Sequence, residues 1–308
     1  MLPSPSLAAA FTQWTWQPLA IALAVGAALW YVRASRRAGV WPIRRTVGYL
    51  LGLALLIWTT CGFFGAYSTS LYWTWASRVL IVWLVVPAVV LAGKPLHLAA
   101  DGGALRRLLD STPARVLGHP LVAPATVPVL SAVLFFGPVP AWAVQAPPFA
   151  WALDLVLCAL GLLALAPLLG PGRRESGLAV AAALSIGMIE LILDAIPGIV
   201  LRLHTHLVTG FWDHRDTHPW SPAPLHDQQL AGAIVWVVAE AIDLPFLVLA
   251  FRRWLRADAN DAAEIDAVLD AERVARRALA PGPGIEADRD APWWLNDPEM
   301  QRRLNRGG

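Results

Sequence analysis

Apolar runs near 20 residues long, repeated along the chain, dominate what this sequence can fold into. They fall at about 18–32, 47–66, 76–98, 121–144, 149–169, 177–201 and 230–251. A helix needs about 20 such residues to cross the hydrocarbon of a bilayer. Inside lipid the backbone must satisfy its own hydrogen bonds, which favours helices over open strands. The expected fold class is therefore an all-α integral membrane protein, a seven-transmembrane-helix bundle. Composition agrees: 57% of residues are hydrophobic and 15% charged, against about 45–50% and 25% in soluble domains. The formal net charge of +2 is scattered between apolar runs, so there is no clustered basic face for nucleic acid and the bilayer is the first partner. A secretory leader would carry positive charge before its apolar core. None precedes the 18–32 run, which reads as a retained span.

Loop charge orients the bundle. Arg33, Arg36, Arg37, Arg44 and Arg45 lie between the first two runs, Lys94, Arg106, Arg107 and Arg115 between the third and fourth, Arg173 and Arg174 between the fifth and sixth, and Arg252, Arg253 and Arg256 after the seventh. The alternate connections 67–75 and 145–148 carry no positive charge. Positive residues stay on the cytoplasmic side, which puts the N-terminus outside, the C-terminus in the cytoplasm and the 202–236 stretch outside. Trp14, Trp16, Trp73, Trp75, Trp142, Trp151 and Trp212 gather at that same expected outer interface, as an aromatic belt would. The membrane domain is expected at 1–256, with a cytoplasmic helix and tail at 257–308. That tail is broken at 281–284 and holds Trp293 and Trp294 as a weak interfacial anchor.

The 202–236 stretch contains five of the seven histidines: His204, His206, His214, His218 and His226. Imidazole suits copper and zinc. His204 and His206 can chelate from extended chain, and His214 and His218 stand one helical turn apart beside Asp213 and Asp216. The plain alternative is a polar loop whose histidines face water. Only Met1, Met188 and Met300 are methionine, so a methionine-lined copper route is absent. Cys61 and Cys158 lie within apolar runs without a CxxC pair, and read as small buried hydrophobes.

Acidic side chains near a helix centre cost about 2.5–3.5 kcal/mol on insertion scales, which marks them as candidates. Glu190 and Asp194 are i, i+4 on the sixth run; Glu240 and Asp243 are i, i+3 on the seventh; Asp154 lies near the outer end of the fifth. They fit an ion or proton path below the histidine loop, or polar groups bonded within the bundle. No nucleophile–base constellation or Gly-rich phosphate loop stands out, so no enzyme is expected.

The string His226-Asp227-Gln228-Gln229-Leu230-Ala231-Gly232, followed by Ile234 and Trp236, resembles the DQQLAGxIxW signature of the CtaG-type cytochrome c oxidase assembly factors. Pro87 through Leu91-Ala92-Gly93-Lys94-Pro95-Leu96 is similar to that family's P-x-x-L-x-x-G-x-P-L. Leu105 to Leu109 with His119-Pro120-Leu121-Val122 resembles its connection into the fourth helix. The resemblance covers about 70–256. It implies a seven-helix protein of the bacterial cytoplasmic membrane that assembles caa-type haem-copper oxidases, with cytochrome c oxidase subunits as partners and copper as a candidate cargo. It also implies paired histidines at the start of the third helix, where this chain has Trp75 and Val79, and a Trp-x-Pro-Gly where it has Trp236-Val237-Val238-Ala239. The expected function is thus a non-enzymatic oxidase assembly factor, with Asp227, Gln228 and Gln229 as a polar docking edge for the client. The competing expectation is a metal-ion transporter that uses the histidine loop as its mouth and Asp194, Glu190 and Glu240 as its path.

The arginine bias yields a direct test. A reporter active only outside the cytoplasm should work when fused at Gly210, and one active only inside should work after Arg256. The reverse pattern at either point would invert the orientation.

Overall fold

The computed structural model describes residues 2–99, 107, 111–112, 123–169 and 177–279. The side chains of Glu190 and Asp243, the 119–122 connection, Arg173, Arg174 and the tail from 280 lie outside the described residues. Every element longer than one turn is helical. These are α1 (Ala9–Thr12), α2 (Pro18–Arg37), α3 (Ile43–Cys61), α4 (Phe63–Tyr67), α5 (Tyr72–Leu80), α6 (Val86–Ala92), α7 (Ala123–Phe136), α8 (Val139–Gln145), α9 (Pro147–Leu169), α10 (Gly177–Leu203) and α11 (Pro224–Leu279). The chain divides into two compact units, 1–252 and 253–308. The site discussed below belongs to the first.

Within the described residues, each apolar run overlaps a helix. Among the described residues, four segments are long and apolar enough to cross a membrane: Pro18–Arg37, Ile43–Tyr67, Tyr72–Ala92 and Pro147–Leu165. A fifth arises if Pro128–Phe136 and Val139–Gln145 form one span bent by 53°. That bend falls at Gly137-Pro138, where proline cannot donate to the preceding turn and its ring crowds the carbonyl four residues back. The protein is thus an all-helical membrane protein with four to five such segments among the described residues.

The third segment is the hub. Its most apolar window is 67% buried, against 22% for the first. α6 packs on α3 and α9, and α2 packs on α3. Between α5 and α6 the helix widens into a π turn at Ile81–Val85, immediately before Pro87. Proline at 87 has no N–H to give the Trp83 carbonyl, and a π turn is a common way to absorb such a defect. The Trp83 oxygen instead faces α9, where a Cβ on Gly161 would collide with it and with the Pro87 ring, 2.7 Å away. Of the two glycines spaced for close approach in α3, Gly52 abuts Val90, whose backbone nitrogen lies 2.8 Å from an added Cβ, whereas Gly48 has nothing within 4 Å. Cys61 and Cys158 are buried and unpaired with each other.

At the arginine-rich end the turn after α6 is tied to α2. Tyr31 donates to the Gly93 carbonyl at 2.7 Å, accepts from the Trp41 indole at 3.0 Å and stacks on Tyr49 with ring centroids 3.9 Å apart. Lys94 follows with φ 52, the left-handed conformation that ends a helix before Pro95.

Gly161→Ala should lower the thermal midpoint in detergent, by a strain of about 1–3 kcal/mol, because the obstacle is backbone. Gly48→Ala should leave it unchanged or raise it, since alanine is the better helix former. Equal midpoints for the two variants would remove the close α6–α9 approach from the account.

Candidate functional site

The 204–223 loop folds over the end of the bundle where α5 and α11 begin, and two side chains of the DQQ string hold it there. Asp227 lies in the first turn of α11, yet its carboxylate reaches across to another helix. Oδ2 accepts from the Tyr72 N–H at 2.9 Å and Oδ1 from the Trp73 N–H at 3.0 Å. Tyr72 and Trp73 open α5, so their N–H groups are among the orphan donors of a helix start. Asp227 therefore caps α5 in trans, and its negative charge sits at the positive ends of two helices at once. Asp227 is fully buried. Burial pushes its carboxyl up from the ordinary range, opposed by the Trp73 and Tyr72 N–H groups and by Arg215, whose guanidinium lies 3.7 Å away.

Gln228, also fully buried, clamps the loop backbone. Its Oε1 accepts from the Val208 N–H at 3.0 Å and its Nε2 donates to the His206 carbonyl at 2.9 Å. Beyond this clamp, Phe211 on a short 3-10 turn (Gly210–Asp213) is fully buried and packs on Tyr72 at 5.2 Å between centroids. Asp216 donates its backbone N–H to the Thr69 carbonyl at 2.9 Å. The Trp220 indole donates to the Leu2 carbonyl at 3.0 Å and stacks on His218 at 4.8 Å. The loop is thus a folded lid.

The rest of the string packs helix against helix. A Cβ at Gly232 would lie 2.8 Å from the Gly198 carbonyl oxygen, and one at Gly198 would lie 2.5 Å from the Trp236 nitrogen. Ala231 is fully buried beside them. Trp236 is itself exposed and donates to Glu240 at 3.3 Å. Gln229 is half-buried.

Beneath the lid lies a charge pair that sequence reasoning missed. Arg78 of α5 and Asp154 of α9, 6% and 3% exposed, meet at 2.5 Å. Arg78 also donates to the Ser68 hydroxyl at 3.0 Å, and the Gln17 amide donates to Asp154 at 3.2 Å. The signal was present: Arg78 is a lone cation inside an apolar run, and Asp154 stood out as an acid near the outer end of another. Both line a cavity of about 10 Å³ together with Trp75, Val79, Ser68 and Ala150, room for about one water. Trp75 leaves the expected aromatic belt for the core, 3% exposed, stacked on Tyr72 and edge-on to Phe135.

The histidines face outward. His204, His206, His214 and His226 are exposed and His218 half-buried. Only His204 and His206 approach one another, with rings 6.1 Å apart. Among the described residues no group of three or more His, Cys, Asp or Glu side chains could hold a metal ion. At the positions where paired histidines were expected, Trp75 and Val79 are apolar and buried. Those two positions therefore offer no metal ligand. Asp194 is buried and Glu240 half-buried.

A sequence model of the cytochrome c oxidase caa3 assembly factor family matches residues 27–257. The chain belongs to that family. It is also similar to uncharacterized proteins of Mycobacterium bovis and Mycobacterium tuberculosis, each 24% identical over 295 residues, 87% of this chain and 43% of the relative. An uncharacterized protein of Mycobacterium leprae is 23% identical over 284 residues, 85% of this chain and 42% of its own length. The chain spans less than half the length of these curated relatives. No solved structure matches.

The fork at Asp227 makes a sharp prediction. From sequence, Asp227→Asn looks mild, because Asn and Asp cap helices equally well. In the structure both oxygens accept from N–H groups, and an asparagine would turn its own amide N–H toward one of them. Asp227→Asn should cost about 1–3 kcal/mol, seen as a lower thermal midpoint in detergent. A wild-type midpoint would show that the fork does not hold α5.

Proposed function

We propose that this chain is a scaffold for assembly of a haem-copper cytochrome c oxidase in the bacterial cytoplasmic membrane, meeting an oxidase subunit through the outer surface of the 204–223 lid. The single observation that carries this reading is the family match over 27–257, which includes the DQQ string that orders the lid. A pre-ordered loop loses little conformational freedom when a partner docks, which leaves more of the contact energy for affinity. Exposed Asp213, His214, Asp216 and Thr217 on the lid supply polar groups for that contact. Asp227 and Gln228 act one layer below, by holding the lid's shape. The proposal takes the seven-span topology with the lid outside and the C-terminus in the cytoplasm, as the arginine bias indicates. It assigns no catalytic step.

A second reading gives copper a transient place as cargo. It rests on the exposed His204 and His206 rings, 6.1 Å apart; two imidazoles with a further ligand from the partner would suit copper.

In a strain lacking the gene, wild-type protein should restore assembled oxidase, read from the haem a absorbance of membranes. Asp213→Ala/His214→Ala/Asp216→Ala should accumulate normally in the membrane and restore much less. Full oxidase without the gene would end the scaffold reading. His204→Ala/His206→Ala should lower copper bound to purified protein if the cargo reading holds. A fall in total cellular copper, with oxidase restored by external copper, would instead indicate a transporter.

A further inference from the structure

At the arginine-rich end of the first unit, a cavity of about 560 Å³ opens along one side of α2, lined by Gly26, Leu29, Trp30, Arg33, Arg37 and His97. Its chemistry is graded along the helix. Gly26, Leu29 and Trp30 make the deep portion, toward the middle of an apolar span. Arg33 and Arg37, one helical turn apart on the same face, make the mouth, joined by His97 from the turn at Pro95–His97. From Gly26 to Arg37 the helix rises about 17 Å, the scale of a headgroup with the upper part of an acyl chain. None of the described residues lining the cavity is acidic. Gly26 has nothing within 4 Å of the place its Cβ would occupy, which leaves the deep part open.

We infer that this groove is a binding site for an anionic phospholipid, with the phosphate between Arg33, Arg37 and His97 and an acyl chain along Gly26, Leu29 and Trp30. Guanidinium forks match phosphate oxygens in two parallel hydrogen bonds. Basic pockets between membrane helices are suited to such headgroups, and Trp30 has the amphipathic ring that favours the interface. Cations at the end of α2 also complement the helix dipole. Arg36 does that as well without lining the groove, and this separates the two roles.

The test uses full-length protein in mixed detergent–lipid micelles, with bound phosphatidylglycerol and phosphatidylcholine counted by native mass spectrometry. Wild-type protein should retain phosphatidylglycerol over phosphatidylcholine. Arg33→Gln/Arg37→Gln should weaken that binding by roughly thirtyfold, while Arg36→Gln should change it little. Gly26→Leu should also weaken it, with an unchanged or higher thermal midpoint, because it fills open space without touching charge. The site would be overturned by Gly26→Leu binding phosphatidylglycerol as wild type does, since attraction would then be to surface charge alone. Equal losses from Arg36→Gln, or displacement of the lipid by equimolar inorganic phosphate, would overturn it too.

Discussion

A helix that starts inside a protein must find acceptors for its first N–H groups, and for α5 that acceptor is the carboxylate of Asp227. Two donors, Tyr72 and Trp73, are satisfied by the two oxygens of one side chain on a helix 155 residues further along the chain. The bond fixes the start of the most buried helix against the start of α11. The aromatic packing of Tyr72 on Trp75 and Phe211 then follows, since Tyr72 is held at both its N–H and, through Phe135, its hydroxyl. Because Gln228 clamps the lid from the adjacent position, one short string secures helix, loop and core together. A lone cap would need only the carboxylate, and the neighbouring amide is explained by the His206 and Val208 backbone groups it serves.

Backbone approach does the rest. Helices in a membrane gain little from burying apolar side chains against lipid-like neighbours, so close packing and internal polar bonds carry more of the association. Gly161 against the Trp83 carbonyl, Gly52 against Val90, and Gly198 with Gly232 are three such places. The first depends on a defect: Pro87 strips Trp83 of its helical donor, the helix widens, and the exposed carbonyl needs a neighbour without a side chain.

The helices were legible because apolar runs of span length have few other ways to satisfy their backbone. The break at Gly137-Pro138 divides a run read as one span, 121–144; prolines stand at 138 and 140, but which of the run's prolines bends the chain, and by 53°, depends on packing that no local pattern encodes. The site was half legible. Spacing singled out the histidines and the family resemblance Asp227 and Gln228, yet the expectation was a docking edge where the structure has a buried clamp. Local sequence says where a polar group sits along its own helix. It cannot say that orphan donors of another helix, encoded far away, stand opposite. Arg78 escaped for the converse reason: in loop-charge counting a single cation inside a span is noise, and it gains meaning only when paired with Asp154.

That pair also bears on what the chain can do. A buried cation and anion in contact neutralise each other, and removing either partner strands a charge at a cost of about 3–5 kcal/mol. Such a pair closes a pocket. Gln17, Ser68 and the near-filled cavity of about 10 Å³ complete the closure, with Trp75 and Val79 as apolar walls where ligands were expected. Polar chemistry in this layer is therefore directed inward, to holding α5 and α9 together. Exposed polar groups lie above it on the lid, and the lid's shape is set by Asp227 and Gln228.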